Sequence, residues 1–260
     1  IDEQPDAQTV KMILQENKSI THVAMVHSET TSGILNDVQS IGRVVKEAGA
    51  TFIVDAMSSF AGVDIPVREW GIDCIISSAN KCIQGVPGFA YVIVRKDLLA
   101  ACEGNARSLA LDLYDQWKTM NVDGKWRFTS PTHVVLAFAK AMEELEAEGG
   151  ITARHERYAA NEKLLRKKLS ALGFVPFLEQ EVQGPIITTF YYPAGYNFSF
   201  QEMYDYIKER GYILYPGKTT KAETFRVGNI GEIYQDDIDK VAGLLSDFLD
   251  SKRNLQAKGA

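Results

Sequence analysis

An α/β fold is predicted by two observations. Apolar runs of strand length alternate with segments of helical period, and the first runs each end in a cluster of small polar side chains. A third observation sets the scale: 260 residues with 45% hydrophobic and 24% charged content can bury one large domain, or one large and one small.

In order, "DAQTVKMILQEN" has helical spacing and leads directly into "THVAMVHSETT", a short apolar strand with a polar end. "DVQSIGRVVKEAGA" reads as a helix, because Val38, Ile41, Val44, Val45 and Ala48 share one face and Gly49 marks the exit. "TFIVDAMSSF" and "DCIISSAN" are the next strands, expected to run parallel to the first, and "FAYVIV" is a further apolar run. Ligands bind at the carboxyl ends of such parallel strands, so "HSETT", "DAMSS" and "SSANK" are expected to share one crevice.

Beyond "FAYVIV" the pattern changes. "TSPTHVVLAFAKAMEELEAEGG" predicts a helix with Thr132 as N-cap and a double-glycine stop, followed by a basic-faced helix over about 151–172. Short strands and helices then follow: "GFVPFL", "PIITTFYYP", "SFQEMYDYIKERG", "YILYPG", "FRVGN" and "QDDIDKVAGLLSDFLDSKR". The expected division is a large domain over 1–149 and a small C-terminal α+β domain over 150–260.

The formal charge of −6, with no basic block and no basic-aromatic interleaving, offers no footprint for nucleic acid or an acidic membrane. No run approaches a membrane span and "IDEQPDAQTV" lacks the regions of a signal peptide, so a cytoplasmic setting is expected. Cys74, Cys82 and Cys102 have no metal-ligand spacing and are expected to be free thiols, most simply small buried hydrophobes.

Lys81 stands out. Most lysines are solvated, but this one sits in "SSANKCIQGVPGF", between two apolar runs and among small residues. An amine placed there is suited to Schiff-base chemistry. Asp55 closes the buried run "TFIV" and is either the cap of a turn or a fixed negative charge facing a cationic ring nitrogen. A lysine amine and a carboxylate on a pyridinium are the minimum apparatus of pyridoxal 5′-phosphate (PLP) chemistry.

Five motifs, "VHSETTSGILND", "IVDAMSSFAG", "SSANKCIQGVPGF", "FTSPTH" and "FRVGNIGE", resemble in order and spacing the fold-type I PLP-dependent aminotransferases that include the alanine-glyoxylate and serine-pyruvate enzymes. The resemblance runs from about Ile20 to Leu249. It implies the fold-type I architecture, a mostly parallel large domain with a small C-terminal domain. It also implies that Lys81 carries the cofactor and shuttles the substrate proton, while Asp55 keeps the ring nitrogen protonated. Thr30 would lie at the ring 3′-oxygen, Met57 would pack on the ring, and Asn80 would line the pocket. Trp126 and Thr129 match positions that reach the cofactor phosphate of the other subunit, so a homodimer with a shared site is implied. Arg226 matches the residue that binds the substrate's anionic group, and its planar fork suits a carboxylate or a phosphonate. The small-molecule substrates would be an amino donor and a 2-oxo acid acceptor.

His27, ending the first strand, is either a site residue that stacks or hydrogen-bonds, or a satisfied strand-end histidine. A cysteine desulfurase is disfavoured because that family has histidine immediately before the lysine, where this chain has Asn80. The family also carries a preceding block with a Gly-rich phosphate turn and a ring-stacking aromatic. Neither is in this sequence, so the 260-residue chain alone is expected to bind PLP weakly, and a non-catalytic fragment that folds and associates is the alternative of another class.

Overall fold

A computed structural model describes residues 3–194, 198–219 and 222–259, with side chains to 254. Helix α1 (Ala7–Glu16) is capped by Asp6, whose carboxylate accepts from Thr9 N at 2.7 Å. Strand β1 (His22–Val26) follows, then α2 (Val38–Glu47), capped by Asp37 on Ser40 N at 2.9 Å. Strands β2 (Thr51–Asp55), β3 (Cys74–Ser78) and β4 (Ala90–Val94) complete a sheet of order β1-β2-β3-β4. The first three strands are parallel, as expected, and β4 runs antiparallel to β3.

Val26, Asp55 and Ile76 lie in register across this sheet, which brings the polar ends of three strands to one edge. Phe52, Val54 and Ile75 are buried beneath Val38, Ile41 and Val45 of α2. Each such side chain contributes about 1.5–3 kcal/mol by leaving water. Ala48, assigned to the apolar face of this helix, is instead its exposed C-cap.

Helices α3 (Lys96–Ala100) and α4 (Leu113–Asp123) fill a stretch to which the sequence analysis assigns no element. Helix α5 (Thr132–Glu148) has Pro131, not Thr132, as its N-cap, with no side-chain cap bond. Thr132 is the first helical residue, and its N–H is already satisfied by Ser130 O at 2.9 Å. Gly149, at φ 114°, ends α5 in the left-handed region and starts α6 (Gly150–Ala171).

Strand β5 (Ile187–Tyr191), helix α7 (Phe200–Lys208), strands β6 (Tyr215–Pro216) and β7 (Thr224–Gly228) and helix α8 (Gln235–Gly259) follow. The second sheet is antiparallel, of order β5-β7-β6. Phe190, Phe225 and Val227 pack there against Leu165 and Leu169 of α6 and against Ile238, Val241 and Leu245 of α8. "GFVPFL" forms no strand: it makes a single bridge, Pro176 to Phe190, flanked by Phe177 N to Thr189 O at 2.8 Å and Tyr191 N to Val175 O at 2.9 Å, and the pairing stops at Phe174, whose N–H is taken by Leu169 O at 3.1 Å. No helix among the described residues is long and apolar enough to cross a membrane.

Candidate active site

The site starts where β2 ends. His27 N donates to Asp55 O at 2.8 Å and Ala56 N to Ile76 O at 2.9 Å, so the parallel ladder runs past the strands before the chain turns. Met57 N then donates to Asp55 Oδ1 at 2.8 Å. Asp55 therefore does cap a turn, and that bond orients its carboxylate while Oδ2 has no donor among the described residues. The Ser28 and Ser78 hydroxyls, just beyond β1 and at the end of β3, are buried without a hydrogen-bond partner among the described residues.

Lys81 follows β3 by three residues and is half-buried, and its Nζ makes no hydrogen bond or ion pair among the described residues. The loop around it is fixed by its own backbone: Gln84 N donates to Lys81 O at 2.8 Å and Gly85 N to Ala79 O at 2.9 Å. Gln84 adopts φ 66°, and a Cβ on Gly85 would stand 2.6 Å from Ala79 O, so only glycine fits there. Helix α6 braces the loop from below. Arg154 Nη1 donates to Cys82 O at 2.6 Å, and Gln84 Nε2 donates to the Tyr158 hydroxyl at 2.6 Å. Arg154 is itself buried and paired with Glu148 at 2.6 Å.

Arg226 sits on β7 and is 6% exposed. Its Nε donates to Pro216 O at 3.0 Å and its Nη1 to Thr30 O at 2.8 Å, while Tyr215 lies beneath it with the ring centroid 5.6 Å from Cζ. Desolvation depresses its pKa, opposed by the charges of Tyr215 and Glu29. No carboxylate bridges it among the described residues. A buried guanidinium held by carbonyls alone retains N–H donors and an uncompensated charge, which an anionic ligand can satisfy.

Thr30 thus touches Arg226 through its carbonyl and leaves its hydroxyl unbonded. Met57 is half-buried in the turn after Asp55, whereas Asn80 is exposed beside the lysine and makes no hydrogen bond. Trp126 packs edge-on against Phe89 at 5.8 Å, at the far end of the lysine loop, and Thr129 is exposed. His27 is 2% exposed, bonds Ser59 Oγ through Nδ1 at 2.9 Å and meets Trp70 edge-on, which makes it a satisfied strand-end histidine. Burial lowers its pKa to about 4. The three cysteines are free, with Cys82 buried and the other two half-buried.

Sequence reasoning missed Arg154, Tyr158 and Tyr215, which reach the site across the fold and carry no local motif, and gave no role to Gln84, which lies inside the motif around Lys81. A cavity of about 700 Å³ lies at the opposite edge of the first sheet, lined by Thr51, Asp73 and Arg95 among others. It is remote from Lys81 because Thr51 and Asp73 mark where β2 and β3 begin.

The family model for class-V aminotransferases matches residues 2–227. A 2-aminoethylphosphonate–pyruvate transaminase of Lysinibacillus sphaericus is 54% identical over 253 residues, covering 97% of this chain and 69% of that protein. One of Bacillus cereus is 54% identical over 233 residues, covering 89% and 64%. The chain thus spans about two thirds of the length of the curated relatives it matches. Among solved structures, pyridoxamine-pyruvate aminotransferase from Mesorhizobium loti superposes with a TM-score of 0.85 at 25% identity, covering 98% of this chain and 65% of that one. Alanine–glyoxylate aminotransferase from Nostoc sp. gives a TM-score of 0.85 at 21% identity, covering 95% and 66%. An apo cysteine desulfurase from Thermococcus onnurineus gives 0.73 at 15% identity and shares the fold alone.

Proposed function

From a chain that belongs to the class-V aminotransferase family, we propose an aminotransferase that converts 2-aminoethylphosphonate and pyruvate into phosphonoacetaldehyde and alanine, using PLP. The substrates are those in the names of the 54%-identical relatives. The observation that carries the reading is a pair of cations without counter-ions among the described residues: the half-buried Lys81 amine, in the loop after the first sheet's β3, and the buried Arg226 guanidinium of the second sheet, which meets the Thr30 carbonyl.

The residues present fit the cofactor. Lys81 Nζ is free to bond its carbonyl carbon, Asp55 Oδ2 is free to face a protonated ring nitrogen, and the orphaned Ser28 and Ser78 hydroxyls await polar partners at the same sheet edge. When bound, PLP supplies the electron sink that lets the C–H bond beside the substrate nitrogen ionise. Lys81 Nζ would take that proton and return it. Asp55 would hold the ring nitrogen in its charged form, Met57 would pack on the ring, and Thr30 and Asn80 would complete its surround. Trp126 and Thr129 would reach the phosphate bound by a second copy, which would make the active unit a homodimer. Arg226 orients the phosphonate and then the pyruvate carboxylate. Residues 1–149 would hold the cofactor and 150–260 would carry the substrate arginine.

Borohydride reduction of the loaded enzyme, followed by peptide mapping, is expected to place the pyridoxyl group on Lys81; a label on another lysine ends the reading. A panel of 2-aminoethylphosphonate, alanine and serine against pyruvate and glyoxylate is expected to give the highest kcat/KM for 2-aminoethylphosphonate with pyruvate. A preference for alanine or serine would move the assignment to the alanine-glyoxylate or serine-pyruvate enzymes.

A further inference from the structure

One turn of α6 touches the loops that follow both Lys81 and Arg226. The Tyr158 hydroxyl accepts from Gln84 Nε2 at 2.6 Å, three residues beyond Lys81, and from Gly231 N at 3.3 Å, five residues beyond Arg226. The Tyr158 carbonyl accepts from Asn229 Nδ2 at 3.1 Å, and the same amide also reaches Pro185 O at 2.7 Å. One turn earlier, Arg154 holds Cys82 O next to the lysine, and Arg157, adjacent to Tyr158, reaches Gly231 O through Nη1 at 2.7 Å. Tyr158 is fully buried, and its partners sit at sequence separations of 74 and 73 residues.

We propose that Tyr158 is a positioning residue that fixes the separation of Lys81 from Arg226 and so selects the distance between amine and anion in the amino substrate. The inference rests on the roles proposed above for those two residues. A buried phenol with two donors converging on it tolerates little displacement, because moving either loop breaks a hydrogen bond to an oxygen that water does not reach. The two cations are therefore held as the ends of a ruler. A substrate whose amine and phosphonate are one methylene further apart must strain one end or forgo it, and positioning errors near 1 Å cost rate steeply.

The test compares 2-aminoethylphosphonate with 3-aminopropylphosphonate in the loaded enzyme and, separately, follows amide exchange without cofactor. Tyr158→Phe removes the shared acceptor. It is expected to speed exchange of the Gly231 amide about tenfold or more and to lower the kcat/KM preference for the shorter phosphonate about tenfold, on the scale of one lost hydrogen bond. Gln84→Asn shortens the lysine-side arm, keeps a residue type that tolerates the left-handed region, and is expected to shift the same preference by a smaller factor without touching Gly231 exchange. Faster Gly231 exchange with an unchanged preference in both variants would overturn the proposal and leave Tyr158 a packing residue. Should the wild type use neither phosphonate, the substrate reading fails by itself. The ratio for alanine against β-alanine then judges the brace, and an unchanged ratio again overturns it.

Discussion

Strands β5 and β7 are buried at four of their five positions, whereas β1 alternates between exposed and half-buried residues and β4 exposes Ala90 and Ile93. The two sheets therefore place their functional side chains by different means. Arg226 is set by the ladder of a strand buried on both faces, with Thr189 and Tyr215 as its register partners. Lys81 lies beyond its strand, in a loop that backbone bonds shape and α6 braces. A charge in a packed strand is placed first by its own ladder, with α6 bracing only the loop that follows it, while a charge on a loop depends throughout on residues distant in sequence.

The largest effects are expected at the two ends of this comparison. Asp55→Ala should cut turnover by orders of magnitude with the fold intact, each 1.36 kcal/mol of lost transition-state stabilisation being about tenfold in rate. Circular dichroism and steady-state kinetics on the same preparation check this, and near-normal turnover would reduce Asp55 to its turn-capping role. Arg226→Lys keeps the charge but not the planar fork, so single-turnover measurements should show both half-reactions weakened together. Loss of one alone would mean separate anion sites.

Next in size is a stability contrast between the sheets. Phe225 is fully buried, stacked on Phe190 at 5.8 Å and edge-on to Phe174 at 5.3 Å. Phe225→Ala is expected to cost about 3–5 kcal/mol in denaturant unfolding. Ile93→Thr, on β4 at 48% exposure, keeps β-branching and should change stability by no more than about 0.5 kcal/mol. Equal costs would erase the distinction between the two sheets.

The last effect appears only as pH changes. Burial lowers the His27 pKa from its ordinary 6.5 to about 4, so between those values the unfolded chain binds a proton that the folded chain refuses. Stability then falls as pH drops through this window, by at most about 1.4 kcal/mol per pH unit for this group, and the loss is complete below the folded pKa. His27→Gln should flatten the wild-type slope over that range; an unchanged slope would mean that other groups carry it.

The convergence of the candidate site's segments was legible because strand length, polar strand ends and parallel pairing are local patterns, and together they bring "HSETT", "DAMSS" and "SSANK" to one edge. His27 was harder: its apolar strand predicts burial, but only Ser59 and Trp70, 32 and 43 positions away, decide that it is satisfied and neutral. The reversed direction of β4 and the bridge in place of a strand at Pro176 escaped a periodicity that carries no sign of direction or pairing.

Local pattern is enough for the α/β class, for the run of strands and helices that carries Asp55, Lys81 and Arg226, and for the residue types that suit those positions to amine and anion chemistry. It takes packing to bring Arg226 to the Thr30 carbonyl across 196 residues, and to set Tyr158 between Gln84 and Gly231. Periodicity reports which face of an element is buried, while a hydrogen bond between elements depends on where their packing brings a donor and an acceptor to within about 3 Å.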